Sequence, residues 1–226
     1  MLLAAGRGER MRPLTDHSPK PLLPVHGKPL IVWHLEALAA AGVRVVVINT
    51  AWLEEQIPAL LGDGARWGLR IHYSMEGRDH GGALETAGGI RKALPLLGDC
   101  FWLVSGDIYA PEFRFDASAA KDFIASDALA QLWLVPNPPY HPQGDFGIAA
   151  NGLGLDGPGA DGQRWTYSNL ALLRADLCRA LPLGQKAALG PLLFAAMRQQ
   201  RIQVSRYHGA WHNLGTPEQL AALNTP

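Results

Sequence analysis

The sequence predicts an α/β fold with a mainly parallel central sheet and helices on both faces. Two observations carry that expectation. Short apolar runs rich in β-branched residues alternate along the chain with stretches of helical periodicity, the order in which crossover helices join parallel strands. Hydrophobic residues make up 48% of the 226 positions and charged residues only 18%, so a large core can form and disorder is not expected.

Taken in order, residues 1–5 are apolar and run straight into Gly6, which reads as a buried strand feeding a loop. The stretch 6–24 is rich in turn residues, with prolines at 13, 19, 21 and 24. Pro29 opens a helical pattern carried by Leu30, Trp33, Leu35, Leu38 and Ala41, and Gly42 stops it. Residues 43–48, β-branched apart from Arg44, read as a second buried strand. A helix is expected over 53–61, a strand over 69–73, a helix over 86–97 and a strand over 100–104. Phe123 belongs to a further helix, and 130–135 is a strand. Beyond Pro136 the sequence is glycine-rich, and its short β-like pieces, together with 165–173, are expected as strands added at the sheet edge over a substrate cleft. A helix over 187–199, a strand over 202–207 and a closing helix over 217–223 complete the chain. Nothing repeats and no low-complexity linker intervenes, so residues 1–226 are expected to form one domain.

Several function classes are disfavoured. Twenty basic and twenty acidic side chains cancel, whereas coating nucleic acid or an anionic membrane usually needs a basic excess. A local basic pocket for phosphates remains open. The only cysteines, Cys100 and Cys178, have no paired spacing, so neither a disulfide framework nor a zinc signature is present. No apolar run approaches the roughly 20 residues of a membrane span. Gly6 interrupts the apolar start too early for a secretion signal, which makes the cytoplasm the expected location.

The strongest chemical signal is Leu-Ala-Ala-Gly-Arg-Gly-Glu-Arg-Met-Arg-Pro-Leu-Thr at residues 3–15, followed by Pro-Lys-Pro-Leu-Leu-Pro-Val at 19–25. Gly6 and Gly8 allow the backbone to approach a ligand, and successive N–H groups can cradle an anion. Arg10 and Lys20 add positive charge for phosphate oxygens. A Walker loop is ruled out because no Gly-Lys-Ser/Thr occurs, and a dinucleotide fingerprint because Met11 stands where its third glycine should be. Gly-x-Gly alone fits a tight structural turn equally well. The combination within 25 residues is what points to phosphate. A second signal is Phe-Trp-Leu-Val-Ser-Gly-Asp at 101–107. An apolar strand ending in Gly-Asp either makes a simple turn or places Asp107 at the C-terminal edge of a parallel sheet, where a hard oxygen ligand suits Mg2+. In Leu84-Glu85-Thr86-Ala87-Gly88-Gly89, Thr86 could also simply cap the following helix.

Residues 2–25 resemble the signature of the sugar-1-phosphate nucleotidylyltransferases, with the full spacing of Gly6, Gly8, Arg10, Met11, Pro13, Leu14, Thr15, Pro19, Lys20 and Pro21 reproduced. The resemblance implies a Rossmann-like, GT-A-like nucleotidyltransferase fold. It also implies a nucleotide-binding half over about 1–110 and a sugar-binding half over about 111–226. Ala4, Ala5 and Gly6 would line base and ribose, Gly8 and Glu9 would belong to the nucleotide loop, Arg10 would hold the outer phosphates and Lys20 would sit near the reacting ones. Asp107 would bind Mg2+, Gly88 would read the base through its backbone, and Glu76 would supply a side chain to the base edge.

The variant Leu-Glu-Thr-x-Gly-Gly resembles one branch in particular, the N-acetylmuramate-1-phosphate uridylyltransferases of cell-wall recycling. That branch implies UTP as donor, N-acetylmuramate 1-phosphate as acceptor, and sugar contacts from Gly144, Asp145 and Asn169. Trp211-His212-Asn213-Leu214-Gly215-Thr216-Pro217 resembles its closing motif, although Thr216-Pro217 is also an ordinary helix start. Asn213 stands where the family commonly has an aspartate as second Mg2+ ligand. It can still coordinate but carries no charge, which also keeps open a catalytically weak, nucleotide-sugar-binding regulator. Relatives usually carry a few residues before the first strand, so an edge of that strand is expected to be missing here. A mannose, heptose or glucose 1-phosphate with another nucleoside triphosphate would use the same chemistry. A lactyl carboxylate would want a donor such as Arg164, Arg206 or His141. The expected partners are small molecules, on a monomer or small homo-oligomer, with no nucleic acid and no membrane.

Overall fold

The computed structural model describes residues 1–225. Strand β1 (Leu2–Ala4) runs into a loop of short 3-10 turns at Glu9–Met11, Leu14–Asp16 and Lys20–Leu22. The small hairpin β2 (Pro24–Val25) and β3 (Lys28–Pro29) leads to α1 (Leu30–Ala40). Then come β4 (Val45–Thr50), α2 (Gln56–Leu61), β5 (Arg70–Met75), α3 (Glu76–His80) and α4 (Glu85–Ala93). Strand β6 (Cys100–Ser105) carries the apolar run before Gly-Asp and is followed by β7 (Ile108–Tyr109), α5 (Ala117–Ala125) and β8 (Ala130–Val135). The second half holds β9 (Gly147–Ile148), β10 (Gly154–Leu155), β11 (Thr166–Arg174), α6 (Asp176–Arg179), α7 (Gly190–Arg198), β12 (Ile202–Arg206), β13 (His212–Asn213) and α8 (Pro217–Asn224).

Seven strands form the central sheet in the order β12-β8-β11-β6-β1-β4-β5. The β6-β1, β1-β4, β4-β5 and β12-β8 pairs are parallel. One expectation needs correction: β11 does not join at an edge. It lies in the middle, antiparallel to both β6 and β8. Its apolar run is buried on both faces, with Leu170 and Leu172 in one core cluster and Ala171 and Leu173 in the other. A strand covered on both sides reads as continuously apolar wherever it sits in the sheet. Neighbours in β6 divide in the same way, with Leu103 packing beside Ile90, Leu193 and Met197, and Val104 beside Ile31, Leu35 and Phe123. Helices α4 and α7 therefore cover one face, and α1 and α5 the other. A third, smaller cluster packs Met11, Leu23 and Val25 against Leu214 and Leu220, so the loop after β1 is seated on the chain's last helix.

Candidate active site

The loop after β1 is braced before any ligand arrives. Gly8 adopts a left-handed conformation (φ +66°), and a Cβ there would come within 3.0 Å of Thr15. The Thr15 hydroxyl donates to the Gly8 carbonyl at 2.8 Å. Arg7 is spent on this brace, donating to Thr15 O and to Asp16 while its guanidinium stacks 3.5 Å over the Trp52 ring. Arg10, by contrast, is exposed on the short turn Glu9–Met11, with its guanidinium over Gly215.

At the end of β6 the backbone of β1 comes so close that a Cβ on Gly106 would lie 2.5 Å from Leu3 O, to which Gly106 itself donates at 2.8 Å. Only glycine fits this corner, which aims Asp107 into the cleft. Lys20 Nζ donates to Asp107 Oδ2 at 2.8 Å, and Ser105 Oγ donates to Oδ1 at 2.7 Å. Burial alone would raise the Asp107 carboxyl, but the Lys20 ammonium and the Ser105 hydroxyl outweigh it and hold the group below its ordinary range. It is a carboxylate at neutral pH.

Ala4, Ala5, Gly6, Gly8, Glu9, Arg10, Lys20 and Asp107 line one cavity of about 480 Å³. Gly144, Asp145, Asn169 and Asn213 line a second, of about 680 Å³, and both cavities share Leu3, Arg10, Thr86 and Ser105. The two therefore meet beside Asp107. Asp145 is itself fixed, accepting from the Tyr167 N–H at 2.8 Å and from His141 Nε2 at 3.0 Å. Asn169 lies within β11, at a register break between Tyr167 and Ala171. Its φ of +62° is one that Asn tolerates better than most residues, and the break turns it into the cavity. Asn213 sits opposite Ile108 in the β13-β7 pair, and the next residue, Leu214, donates its N–H to Asp107 O at 2.9 Å. Asn213 Oδ1 and Tyr167 Oη are both buried without a hydrogen-bond partner among the described residues.

Two expectations about the nucleobase do not hold. Glu76 is fully buried at the start of α3 and lines neither cavity. Its oxygens accept from Asn49 Nδ2 and from the Leu84 N–H, each at 2.7 Å. Gly88 lies inside α4, donates its own N–H to Ala187 O, and leaves no room for a Cβ against Gln185 O at 2.5 Å. It is a packing glycine. Thr86 does not cap α4 either, since the helix starts at Glu85 after Leu84 with no side-chain cap. Of the candidate lactyl partners, His141 and Arg164 line the second cavity, whereas Arg206 pairs with Asp161 and stacks on Trp165 outside it. Ser105 and Asn49 are cavity residues that the sequence reading passed over. Each is polar at the C-terminal end of an apolar strand, a signal that was available.

Asp107 and Asn213 could hold a divalent cation. One is an ionised carboxylate and the other a partnerless buried amide oxygen on the adjoining strand. Among the described residues no group of three His, Cys, Asp or Glu could do so. Two oxygen ligands suit an ion such as Mg2+, which keeps waters and shares substrate phosphates.

Comparison with known proteins agrees with this architecture. Residues 1–158 match the family model described as nucleotidyl transferase. The chain is 45% identical to an N-acetylmuramate alpha-1-phosphate uridylyltransferase of Neisseria meningitidis serogroup B, over 96% of this chain and 92% of that one. It is 31% identical to an enzyme of the same name from Caulobacter vibrioides, over 98% and 94% of the two chains. A solved Bacillus anthracis protein assigned as a glucose-1-phosphate thymidylyltransferase, in complex with sucrose, shares the fold with a TM-score of 0.81 at 19% identity, covering 99% of this chain and 92% of that one. With a family match over residues 1–158 and full-length relatives of this identity, the chain belongs to the nucleotidyl transferase family.

Proposed function

We propose that this protein transfers a uridylyl group from UTP to N-acetylmuramate 1-phosphate, releasing pyrophosphate, with Mg2+ as cofactor. The observation that carries the reading is the junction of the two cavities at Arg10, Thr86 and Ser105, directly beside the Asp107 carboxylate. The shared name of the Neisseria and Caulobacter relatives supports the choice of substrates. The first cavity, built almost wholly from residues before 110, takes the nucleotide, and the second, built mostly from residues after 110, takes the sugar.

In this reading an oxygen of the sugar phosphate attacks the α-phosphorus of the triphosphate, and the bond to the β-phosphate oxygen breaks as pyrophosphate leaves. Such a transfer needs little covalent help from protein, so positioning and charge neutralisation dominate. The backbone at Gly6 and Gly8 cradles the phosphates and Arg10 meets charge building on the leaving pyrophosphate. Lys20 lies one hydrogen bond from Asp107 and can exchange that partner for the α-phosphate. Asp145 and Asn169 present acceptors and donors to the sugar hydroxyls, while the Arg164 guanidinium and the His141 ring line the same cavity, as candidate donors to a lactyl carboxylate. Mg2+ held by Asp107 and Asn213 would supply the remaining neutralisation of phosphate charge. No helix among the described residues is long and apolar enough to cross a membrane, and we place the reaction in the cytoplasm.

A pyrophosphate-release assay with Mg2+, crossing four nucleoside triphosphates against N-acetylmuramate, N-acetylglucosamine, glucose and mannose 1-phosphates, tests the reading. Turnover confined to UTP with N-acetylmuramate 1-phosphate is the expected result. Turnover only with another pair would overturn the substrate assignment, and silence across the grid would overturn the catalytic one.

A further inference from the structure

The nucleotide cavity has two walls that come from different parts of the chain. One is the end of β1 and its loop, Ala4, Ala5 and Gly6; the other is Ala83 with the first residues of α4, Glu85 and Thr86. A single buried chain of hydrogen bonds ties them together. Ala4 donates its N–H to Asn49 Oδ1 at 3.0 Å, Asn49 Nδ2 donates to Glu76 Oε1 at 2.7 Å, and Leu84 donates its N–H to Glu76 Oε2 at 2.7 Å. Asn49 and Glu76 are 3% and 0% exposed, so a bond lost between them is not readily replaced by bulk water. Room for the carboxylate is kept by Gly89, where a Cβ would lie 2.5 Å from Glu76 Oε1 and 3.0 Å from Asn49 Nδ2.

We propose that Glu76 is a positioning residue for nucleotide selection: without touching the nucleotide, it sets the separation of the two walls of the nucleobase slot through Asn49 and the Leu84 amide. The polarity of the chain makes the role specific. Every bond into Glu76 comes from an N–H, so only a group that accepts at both oxygens completes it. Buried hydrogen bonds to a charged acceptor are the costly ones to leave unmade. The slot has no other side-chain tie between Ala4 and Leu84 among the hydrogen bonds of the described residues. The inference rests on the first cavity being the nucleotide site.

The test is a swap. Glu76→Gln turns one acceptor into a donor facing another N–H, and Asn49→Asp sets a second carboxylate against Glu76. The double variant Glu76→Gln with Asn49→Asp restores every bond with one reversed. The new amide at position 76 donates to the new carboxylate at position 49 and accepts from the Leu84 N–H, while that carboxylate still accepts from Ala4. Each single change is expected to raise the KM for the nucleoside triphosphate by about tenfold or more, leave the KM for the sugar phosphate nearly unchanged, and narrow the preference between UTP and CTP. The double variant is expected to recover most of both losses. Gly89→Ala, which presses a methyl group on Glu76 while leaving every hydrogen-bonding group in place, is the second variant should a single change fail to fold; it is expected to raise the same KM. Single variants that lose melting temperature but keep the nucleotide KM and the base preference would overturn the proposal, as would a double variant no better than the singles. A wild-type protein silent in the substrate grid would overturn the underlying reading instead.

Discussion

Asp107 owes its state to two partners of different kinds, a lysine ammonium and a serine hydroxyl, and this decides how a substitution there should be made. Asp107→Ala would strand a lysine whose side chain is only 11% exposed, and an uncompensated buried charge is itself destabilising. Asp107→Asn also removes the counter-charge of Lys20, but it leaves an amide oxygen that can accept from the ammonium while the amide N–H donates to the Ser105 hydroxyl. It is expected to lower kcat by about a hundredfold or more and to lose less melting temperature than Asp107→Ala, measured by pyrophosphate release and thermal denaturation on the same preparation. Retained activity would end the assignment of Asp107 as the charged ligand. Asn213 allows the opposite experiment. Its partnerless Oδ1 lies on the strand beside Asp107, and Asn213→Asp adds a charge where only a dipole now points. Affinity for divalent ions at oxygen sites follows ligand charge, so this variant is expected to reach half-maximal activity at a lower Mg2+ concentration than the wild type. Asn213→Leu is expected to need more Mg2+, and identical Mg2+ curves for all three proteins would remove Asn213 from the site.

Secondary elements were legible in the sequence wherever a strand or helix announces itself by hydrophobic period. The runs ending at Ala4, Thr50 and Ser105 and the proline that opens α1 all lie within a residue or two of their expected positions. Pairing was not legible in the same way. The run of β11 is apolar because both its faces are covered, and that pattern is the same for a central strand and for a buried one near the rim. The phosphate loop could be read because its chemistry depends on local spacing; the neighbourhood of Glu76 and Gly88 could not, because what each touches is set by long-range packing. Gly88 shows the difference. A glycine next to a base and a glycine packed against a neighbouring backbone look identical in sequence, and only the 2.5 Å approach of its would-be Cβ to Gln185 O separates them. Gly88→Ala is therefore expected to destabilise the protein by about 1–3 kcal/mol, as overpacking does, seen as a fall in melting temperature, while the preference among nucleoside triphosphates stays as it is. A changed preference without loss of stability would restore the base-reading role.

For the molecule as a whole, the response to acid should expose how the site is joined to the fold. His34, on α1, is 4% exposed and donates from Nε2 to Ile108 O at 2.9 Å, which ties that helix to the residue after Asp107. Burial lowers its pKa from 6.5 to about 4, against the smaller opposing pull of the Ile108 carbonyl and the Asp107 charge. The folded protein thus keeps this imidazole neutral while the unfolded chain takes up a proton below about 6.5. Stability from His34 is fully present above that pH and is lost as the pH falls toward 4, amounting to about 3 kcal/mol across the window. The carboxylates held low by ion pairs, such as Asp79, lose their contribution only below their ordinary range, so they act later in the titration. Glu76 works in the opposite direction, since burial raises its pKa and protonation relieves the folded state as the pH falls. The slope of the wild type alone therefore mixes terms of both signs. His34→Gln leaves a side chain that can still donate to Ile108 O but does not titrate, so the difference between wild type and this variant isolates the histidine. Urea melts of both proteins from about pH 7 to pH 4 are expected to show the wild type losing ground to the variant by about 3 kcal/mol. Parallel curves would mean that the imidazole is already free to protonate in the folded state, and that α1 is not closed over the strand carrying the site.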